Sequence, residues 1–520
     1  MRRILGITVV VVITGVALLA AEIAARIVDG YRLGSMRLEG SRDPRPRVGD
    51  AARPGSQKWV DALDALPYVR ALPVSAGVDR AWFASPLPMP RDVQPDADLV
   101  ARMDRYHGGI DEKANYEWNL NNVIGTVCRG EHPSLTGILN QFDDVFVFDP
   151  TDGSDEPPYR FLQHAQYPDL LRTNAFGWRG GEIPLNKPPD TVRLAFVGAS
   201  TTIGTHGEPY SYPELVGLWL NRWADAKHPG MSIEVINAGR EGINSRSLPA
   251  IVRQELLPVE PDLVYYDYDG ANQFWPGNFV LTPVPPRSPP IEPASGWLAS
   301  RSAVGARLAN VLRRATVRGS EPPKPHLDLQ WPADLDEHDP DLSNPLLPVD
   351  LPQLLSDTEV SRSALAEEGS ALVLTSIAWL VYPGMVLEPD RDADIFSTLN
   401  TKYWPFSYAH MRRYLDFKTR VLRKYAATHR LDFINVEESF PRDARLFGDL
   451  IHMTRAGSYL QAWIVFNGLV PVIERHLASH EWPRPATHRL SRHPAFGGRR
   501  LVPIAQVRAG CGSPGPSTHE

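Results

Sequence analysis

Near the C-terminal end, Phe447-Gly448-Asp449-Leu450-Ile451-His452-Met453 sets an Asp and a His three residues apart in a polar turn. Far upstream, Phe196-Val197-Gly198-Ala199-Ser200-Thr201 leaves a Ser at the exit of an apolar run. A Ser, a His and a carboxylate are the parts of an activated hydroxyl. The imidazole takes the hydroxyl proton, while the carboxylate orients the imidazole and steadies its charge. The competing readings are structural: a Ser that closes a turn and an Asp that caps a helix. What separates them is whether two segments about 250 residues apart meet in space, and that depends on the elements between them.

Val192 to Val197 is a short apolar run between Pro188-Pro189 and a Gly/Ser/Thr turn, the pattern of a buried strand. Tyr212 to Ala226 carries Leu215, Leu218, Trp219 and Trp223 on one face and reads as an amphipathic helix. A strand Ile233 to Ile236, a helix Ser247 to Leu257 and a strand Asp262 to Tyr268 follow. After an interruption come a helix Asp350 to Glu368, with Asp350 as its cap and Pro352 in its first turn, and a strand Ala371 to Ile377. A helix Tyr408 to Thr428, a strand Leu431 to Val436 and a closing helix Thr454 to Leu477 complete the series. Such alternation predicts a parallel sheet with right-handed crossovers, whose ligands bind beyond the carboxyl ends of the strands. Ser200 follows the first strand, Gly239 to Asn244 the second, Asn272 the third, and Asp449 with His452 the last. All of them fall on one rim.

Taken in order, these segments resemble the SGNH (GDSL-like) hydrolase family over roughly Thr191 to Leu477, an insertion apart. Gly198-Ala199-Ser200 stands where the family has Gly-Asp-Ser, and Asn237-Ala238-Gly239-Arg240-Glu241-Gly242 resembles its second block. Gly270-Ala271-Asn272-Gln273 resembles the Gly-x-Asn-Asp block, and Asp449-Leu450-Ile451-His452 the Asp-x-x-His block. The resemblance implies a flavodoxin-like three-layer α/β/α fold around a five-stranded parallel sheet. It implies Ser200 as nucleophile, His452 as base and Asp449 as the orienting carboxylate. The implied oxyanion hole is the Ser200 N–H, the Gly242 N–H and the Asn272 side-chain amide, with no cofactor. The implied reaction is hydrolysis of a carboxylic ester, an O-acylated glycan or a small ester, through an acyl-enzyme. Ala199 and Gln273 depart from the family pattern, but neither removes a proton-transfer group. An O-acyltransferase acting on a glycan hydroxyl with the same three residues is the alternative, and a non-catalytic glycan-binding protein on the same fold is a third reading.

The rest of the chain bounds where this chemistry takes place. Its 520 residues carry a net charge of −7, so no basic surface points to nucleic acid, and no His/Cys cluster at ligand spacing points to a metal. Arg2 and Arg3 precede an uncharged run of 18 residues, Ile4 to Ala21, roughly 27 Å long as a helix and close to the hydrocarbon thickness of a bilayer. Residues 1–30 therefore read as a transmembrane signal-anchor with its N-terminus inside, leaving the remainder periplasmic or extracellular. Ala20 and Ala21 leave a cleaved signal peptide as the alternative. Residues 31–187 read as a stalk, with a short helix at Gln57 to Leu66, followed by a small accessory layer containing a strand Val145 to Phe148. Residues 188–480 read as the hydrolase-like domain, with a Pro-rich insertion or lid at 283–348, and 481–520 as a disordered tail. Cys128 and Cys511 fit neither a disulfide framework nor a CxxC site. With Cys511 in that tail, the expectation is no bridge. His206 and Glu208 read as solvated loop residues, and Phe274, Trp275 and Trp404 as rim packing beside a subsite.

Overall fold

The computed structural model of the chain describes residues 2–28, 54–88, 116–130, 139, 142–150, 152–165, 172–204, 210–268, 270, 272, 301–305, 307–308, 331–332, 334–381, 408–487, 489–490 and 499–511. The strands among them are β1 (Tyr116–Asn119), β2 (Asp144–Phe148), β3 (Tyr159–Phe161), β4 (Thr191–Gly198), β5 (Ser232–Asn237), β6 (Leu263–Asp267), β7 (Ala371–Ser376), β8 (Asp432–Asn435) and β9 (Arg500–Pro503).

Five of these strands form a sheet in the order β5-β4-β6-β7-β8, with every neighbouring pair parallel. This is a parallel α/β architecture, and each strand lies within two residues of the run that predicts it. Strands β4 and β6 are buried along their whole length, as continuous apolar strands must be when helices cover both faces of a parallel sheet. The order reverses at β4, whose neighbours are its successor β5 on one side and β6 on the other, so the crevice for a ligand opens beyond the carboxyl ends of β4 and β6.

Helices Tyr212–Lys227 and Arg455–Ala478 pack together as one layer through Trp219, which meets Tyr459 and Trp463 edge-on at 4.9 and 5.0 Å between ring centroids. Helices Leu351–Glu367 and Tyr408–Thr428 lie beside one another, with the Tyr425 hydroxyl donating to Glu359. The predicted helix from Ser247 is α-helical only to Ile251 and then widens into a π turn over Val252–Leu256. Asp350 stands at the predicted cap position but adopts φ 55° and makes no capping bond; Pro352 does occupy the first turn.

Three expectations outside this sheet are corrected. The segment 54–88, read as a stalk, is docked against the Trp219 helix pair: Phe83 stacks on Trp219 at 6.4 Å, and Trp463 Nε1 donates to Pro73 O at 3.0 Å. The tail, read as disordered, contains β9 and a helix Ile504–Gly510. Strand β9 completes a second sheet, β3-β1-β2-β9, in which it pairs antiparallel with β2. Cys128 and Cys511, expected to be unlinked, form a disulfide that ties the turn after β1 to the helix after β9.

A separate unit comprises residues 1–47, 280–328 and 386–407. Within it the helix Arg2–Val28 carries a Glu22–Arg26 pair at 2.6 Å. Glu22 also accepts from Ser302 Oγ and the backbone N–H groups of Ala303 and Val304, at 2.7–3.1 Å. Among the described residues the one helix long and apolar enough to cross a membrane is Arg455–Ala478, and its most apolar window is 89% buried, as befits a core helix. No span registers at the N-terminus, where side chains are described for Ile13 to Arg26. The larger part of the insertion 283–348, like His206, Glu208, Gln273, Phe274, Trp275 and Trp404, lies outside the described residues.

Candidate active site

Ser200 is the first residue of a four-residue helix, Ser200–Ile203, that leaves directly from β4. The turn is tight enough to dictate its sequence. A Cβ on Gly198 would sit 2.1 Å from Thr202 Oγ1 and 2.2 Å from Asp267 O, so only glycine fits there. Ala199, where the resembled pattern has Asp, is buried and brings no polar side chain. The carboxylate that holds this turn comes instead from Asp267, at the end of β6. It accepts from Thr202 Oγ1 at 2.9 Å and from the Tyr212 hydroxyl at 2.8 Å.

The Asp449/His452 turn is pinned from several sides. Phe447 bridges Met453, Gly448 N donates to His452 O at 2.7 Å, and Leu380 N donates to Leu450 O at 2.8 Å. Buried Leu450 and Ile451 anchor the turn while Asp449 and His452 stay half-buried at the rim. Asp449 Oδ1 accepts the backbone N–H groups of Ile451 and His452 at 2.9 and 2.8 Å, and its Oδ2 meets His452 Nδ1 at 2.6 Å. On the far side of the ring, His452 Nε2 meets Ser200 Oγ at 2.8 Å. Burial pushes the Asp449 carboxyl up, but the imidazole and the two N–H donors outweigh it and hold the group at about 2. An ionised Asp449 can only accept, so His452 Nδ1 carries a proton. In the neutral ring, Nε2 is then left as the acceptor for the Ser200 hydroxyl.

The two remaining predicted residues lie on neighbouring loops. Asn272 Nδ2 donates to Ile243 O at 2.6 Å, one residue past Gly242. Gly242 adopts φ +68° and faces open space, so its backbone can be approached closely. The connection from this loop to Ser200 runs through backbone: Arg240 N donates to Gly198 O at 3.0 Å, and Asn237 Nδ2 donates to Thr202 O at 2.9 Å. Gly239 lies so close that a Cβ there would be 2.5 Å from Ile203 N. Beside Ser200 and His452 a depression is lined by Thr201, Gly204, Ile451, Met453, Ser458 and Gln461. Among the described residues no three His, Cys, Asp or Glu side chains stand close enough to hold a metal ion.

The solved structures this chain is similar to are hydrolases and esterases. An α/β hydrolase enzyme from the metagenome of Lake Arreo, Spain, is 16% identical, with a TM-score of 0.28 over 53% of this chain and 95% of the other. An acetylxylan esterase from Geobacillus stearothermophilus is 15% identical, with a TM-score of 0.29 over 54% of this chain and 94% of the other. A GDSL-like lipase from Bacteroides thetaiotaomicron is 12% identical, with a TM-score of 0.27 over 55% and 88%. No protein-family model and no curated protein matches the chain.

Several residues that hold the site carry no sequence signal of their own. Arg179 donates from Nη1 to the carbonyls of Ile203 and Gly204 at 2.9 and 2.6 Å, closing the end of the Ser200 helix, and pairs through Nε with Glu214 at 3.1 Å. It comes from the region ahead of the main domain, in Thr173-Asn174-Ala175-Phe176-Gly177-Trp178-Arg179. Asp267 ends an apolar strand and reads as nothing more than a strand boundary. Only the fold gives these residues partners.

Proposed function

We propose that this chain is a membrane-anchored, extracytoplasmic serine esterase that cleaves carboxylic esters through an acyl-enzyme on Ser200. One observation carries the reading: the unbroken hydrogen-bonded path from Ser200 Oγ to His452 Nε2 at 2.8 Å and from His452 Nδ1 to Asp449 Oδ2 at 2.6 Å. As Ser200 Oγ bonds to the substrate carbonyl carbon, its proton passes to His452 Nε2 and the carbonyl electron pair moves onto oxygen. Asp449, ionised behind the ring, stabilises the imidazolium. The Ser200 N–H, Gly242 N–H and Asn272 amide receive the oxyanion, such a donor being worth about 3 kcal/mol. Collapse breaks the ester C–O bond, and His452 gives the departing alkoxide its proton. Water then repeats the sequence on the acyl-enzyme and frees the acid and Ser200.

The substrate class we assign is an O-acylated glycan, an O-acetyl group on a surface polysaccharide. The depression that Ser200 and His452 share with Ile451 and Met453 is small, which suits a short acyl group better than a long chain. Two features support the location. Ile13, Val16, Leu18 and Leu19 are each at least 60% exposed on the N-terminal helix, and an apolar helix that the fold leaves uncovered suits a bilayer. The Cys128–Cys511 disulfide suits an oxidising compartment.

Labelling with a fluorophosphonate, together with acetate release from an O-acetylated polysaccharide, tests the reading. Wild type should be labelled and release acetate in water, and Ser200→Ala should do neither. Equal labelling of Ser200→Ala would remove Ser200 as the nucleophile. Acyl loss only when a glycan acceptor is added would reassign the chain to acyl transfer.

A further inference from the structure

The accessory sheet touches the loop that carries Gly242. The Tyr159 hydroxyl, on β3, donates to the carbonyl oxygen of Glu241 at 2.6 Å. That carbonyl belongs to the same peptide unit as the Gly242 N–H. A peptide unit is planar and trans, so its C=O and N–H point in opposite directions, and fixing one fixes the other. We propose that Tyr159 is a positioning residue for the Ser200 reaction, holding the Glu241–Gly242 peptide so that the Gly242 N–H faces the developing oxyanion. The inference rests on the reading of Gly242 as an oxyanion donor.

The loop needs such a hold. Gly242 is exposed, has no side chain to pack and faces open space, so nothing of its own locks the peptide plane. Two hydrogen bonds bracket it: Tyr159 on the Glu241 carbonyl and Asn272 on the Ile243 carbonyl, both at 2.6 Å. Tyr159 is itself immobilised. It is buried, stacks on Tyr116 at 4.4 Å with the rings 9° apart, and meets Phe161 and Trp118 at 5.7 Å. Burial, reinforced by the Glu241 charge, pushes its phenol well above the usual range, so the hydroxyl keeps its proton and remains a donor. Donation to a peptide carbonyl also polarises the unit and strengthens its N–H as a donor in turn. A Tyr that merely joined the two sheets could end its bond on any carbonyl. This one ends on the peptide that carries the catalytic N–H.

Tyr159→Phe keeps the ring and its stacking and removes only the hydroxyl. We expect kcat to fall about tenfold, less than the roughly 100-fold or greater loss for removal of a whole oxyanion donor, with KM unchanged. The inhibition constant of an arylboronic acid, whose tetrahedral adduct places an oxygen at the oxyanion position, should weaken by the same factor as kcat/KM. Val145→Ala loosens the same sheet on β2, two strands away from Tyr159, and its kcat per active site, counted by burst titration, should stay at the wild-type value. Wild-type kcat in Tyr159→Phe, or an equal loss in Val145→Ala, overturns the inference while Ser200-dependent turnover stands. Turnover that survives Ser200→Ala overturns the functional reading instead, and is recognised separately by that variant.

Discussion

Asp449 accepts three N–H donors at once, from the imidazole Nδ1 and from the backbone of Ile451 and His452, and this sets how the site should respond to pH. Burial raises the carboxyl, the donors lower it further, and it settles at about 2 against an ordinary 3.8. A folded-state pKa below the unfolded one contributes stability that is present above the unfolded value and is lost as pH falls through the folded value. Asp449 is partly exposed, so solvent screening trims the size of that contribution. The consequence for catalysis is sharper. Above about pH 3 the carboxylate is ionised, so Asp449 should add no proton of its own to the acid limb of kcat/KM. A profile with a slope of two in that range would contradict the arrangement. Asp449→Asn should lower kcat by about 10⁴-fold, since an amide favours the wrong imidazole tautomer, while the protein stays folded. At this scale the meeting of Ser200, His452 and Asp449 was legible because their residue types and order are specific. Asp267 and Tyr159 were not, because their partners are 55 to 82 residues away in sequence and are met only in the folded chain.

The elements explain why Ser200 stands where it does. A helix of four residues has almost no internal hydrogen bonding, and its end is closed by Arg179, whose side chain is 3% exposed. Arg179→Met should leave the carbonyls of Ile203 and Gly204 short of a donor and Glu214 short of its cation. A cost of about 2–4 kcal/mol is expected in urea unfolding, because breaking a buried charged contact leaves its partners unpaired. Fluorophosphonate labelling of Ser200 should slow in the variant that does fold, and unchanged labelling would show that the helix holds itself. The strands of the main sheet were readable because buried parallel strands are apolar throughout and sit between turn residues. Strand β9 was not. Arg500-Leu501-Val502-Pro503 is short and lies in Pro-, Gly- and Arg-rich sequence, and it becomes a strand only through its register with Asp144–Val147. The same long-range dependence hid the role of residues 54–88, whose aromatic residues have no periodic pattern until Trp219 and Tyr459 are beside them.

In the larger unit the accessory sheet touches the loop after β5 through Tyr159, and it is closed by one covalent link. Cys128 and Cys511 are 383 residues apart, so their bond restricts the unfolded chain over most of its length; such links are worth about 2–4 kcal/mol. The link also spans the only element that the tail contributes to the accessory sheet among the described residues, β9 with its following helix. Reduction should therefore loosen the accessory sheet first and leave the five-stranded sheet intact. A reductant is expected to lower the melting temperature of wild type, to have no effect on the Cys128→Ser/Cys511→Ser variant, and to open the chain to proteolysis near residue 499 before any cut in β4 to β8. Because Tyr159 belongs to the loosened sheet, turnover should fall on reduction with KM unchanged, in the same direction as Tyr159→Phe. Full turnover in reduced protein whose tail has already become protease-sensitive would separate the accessory sheet from the chemistry.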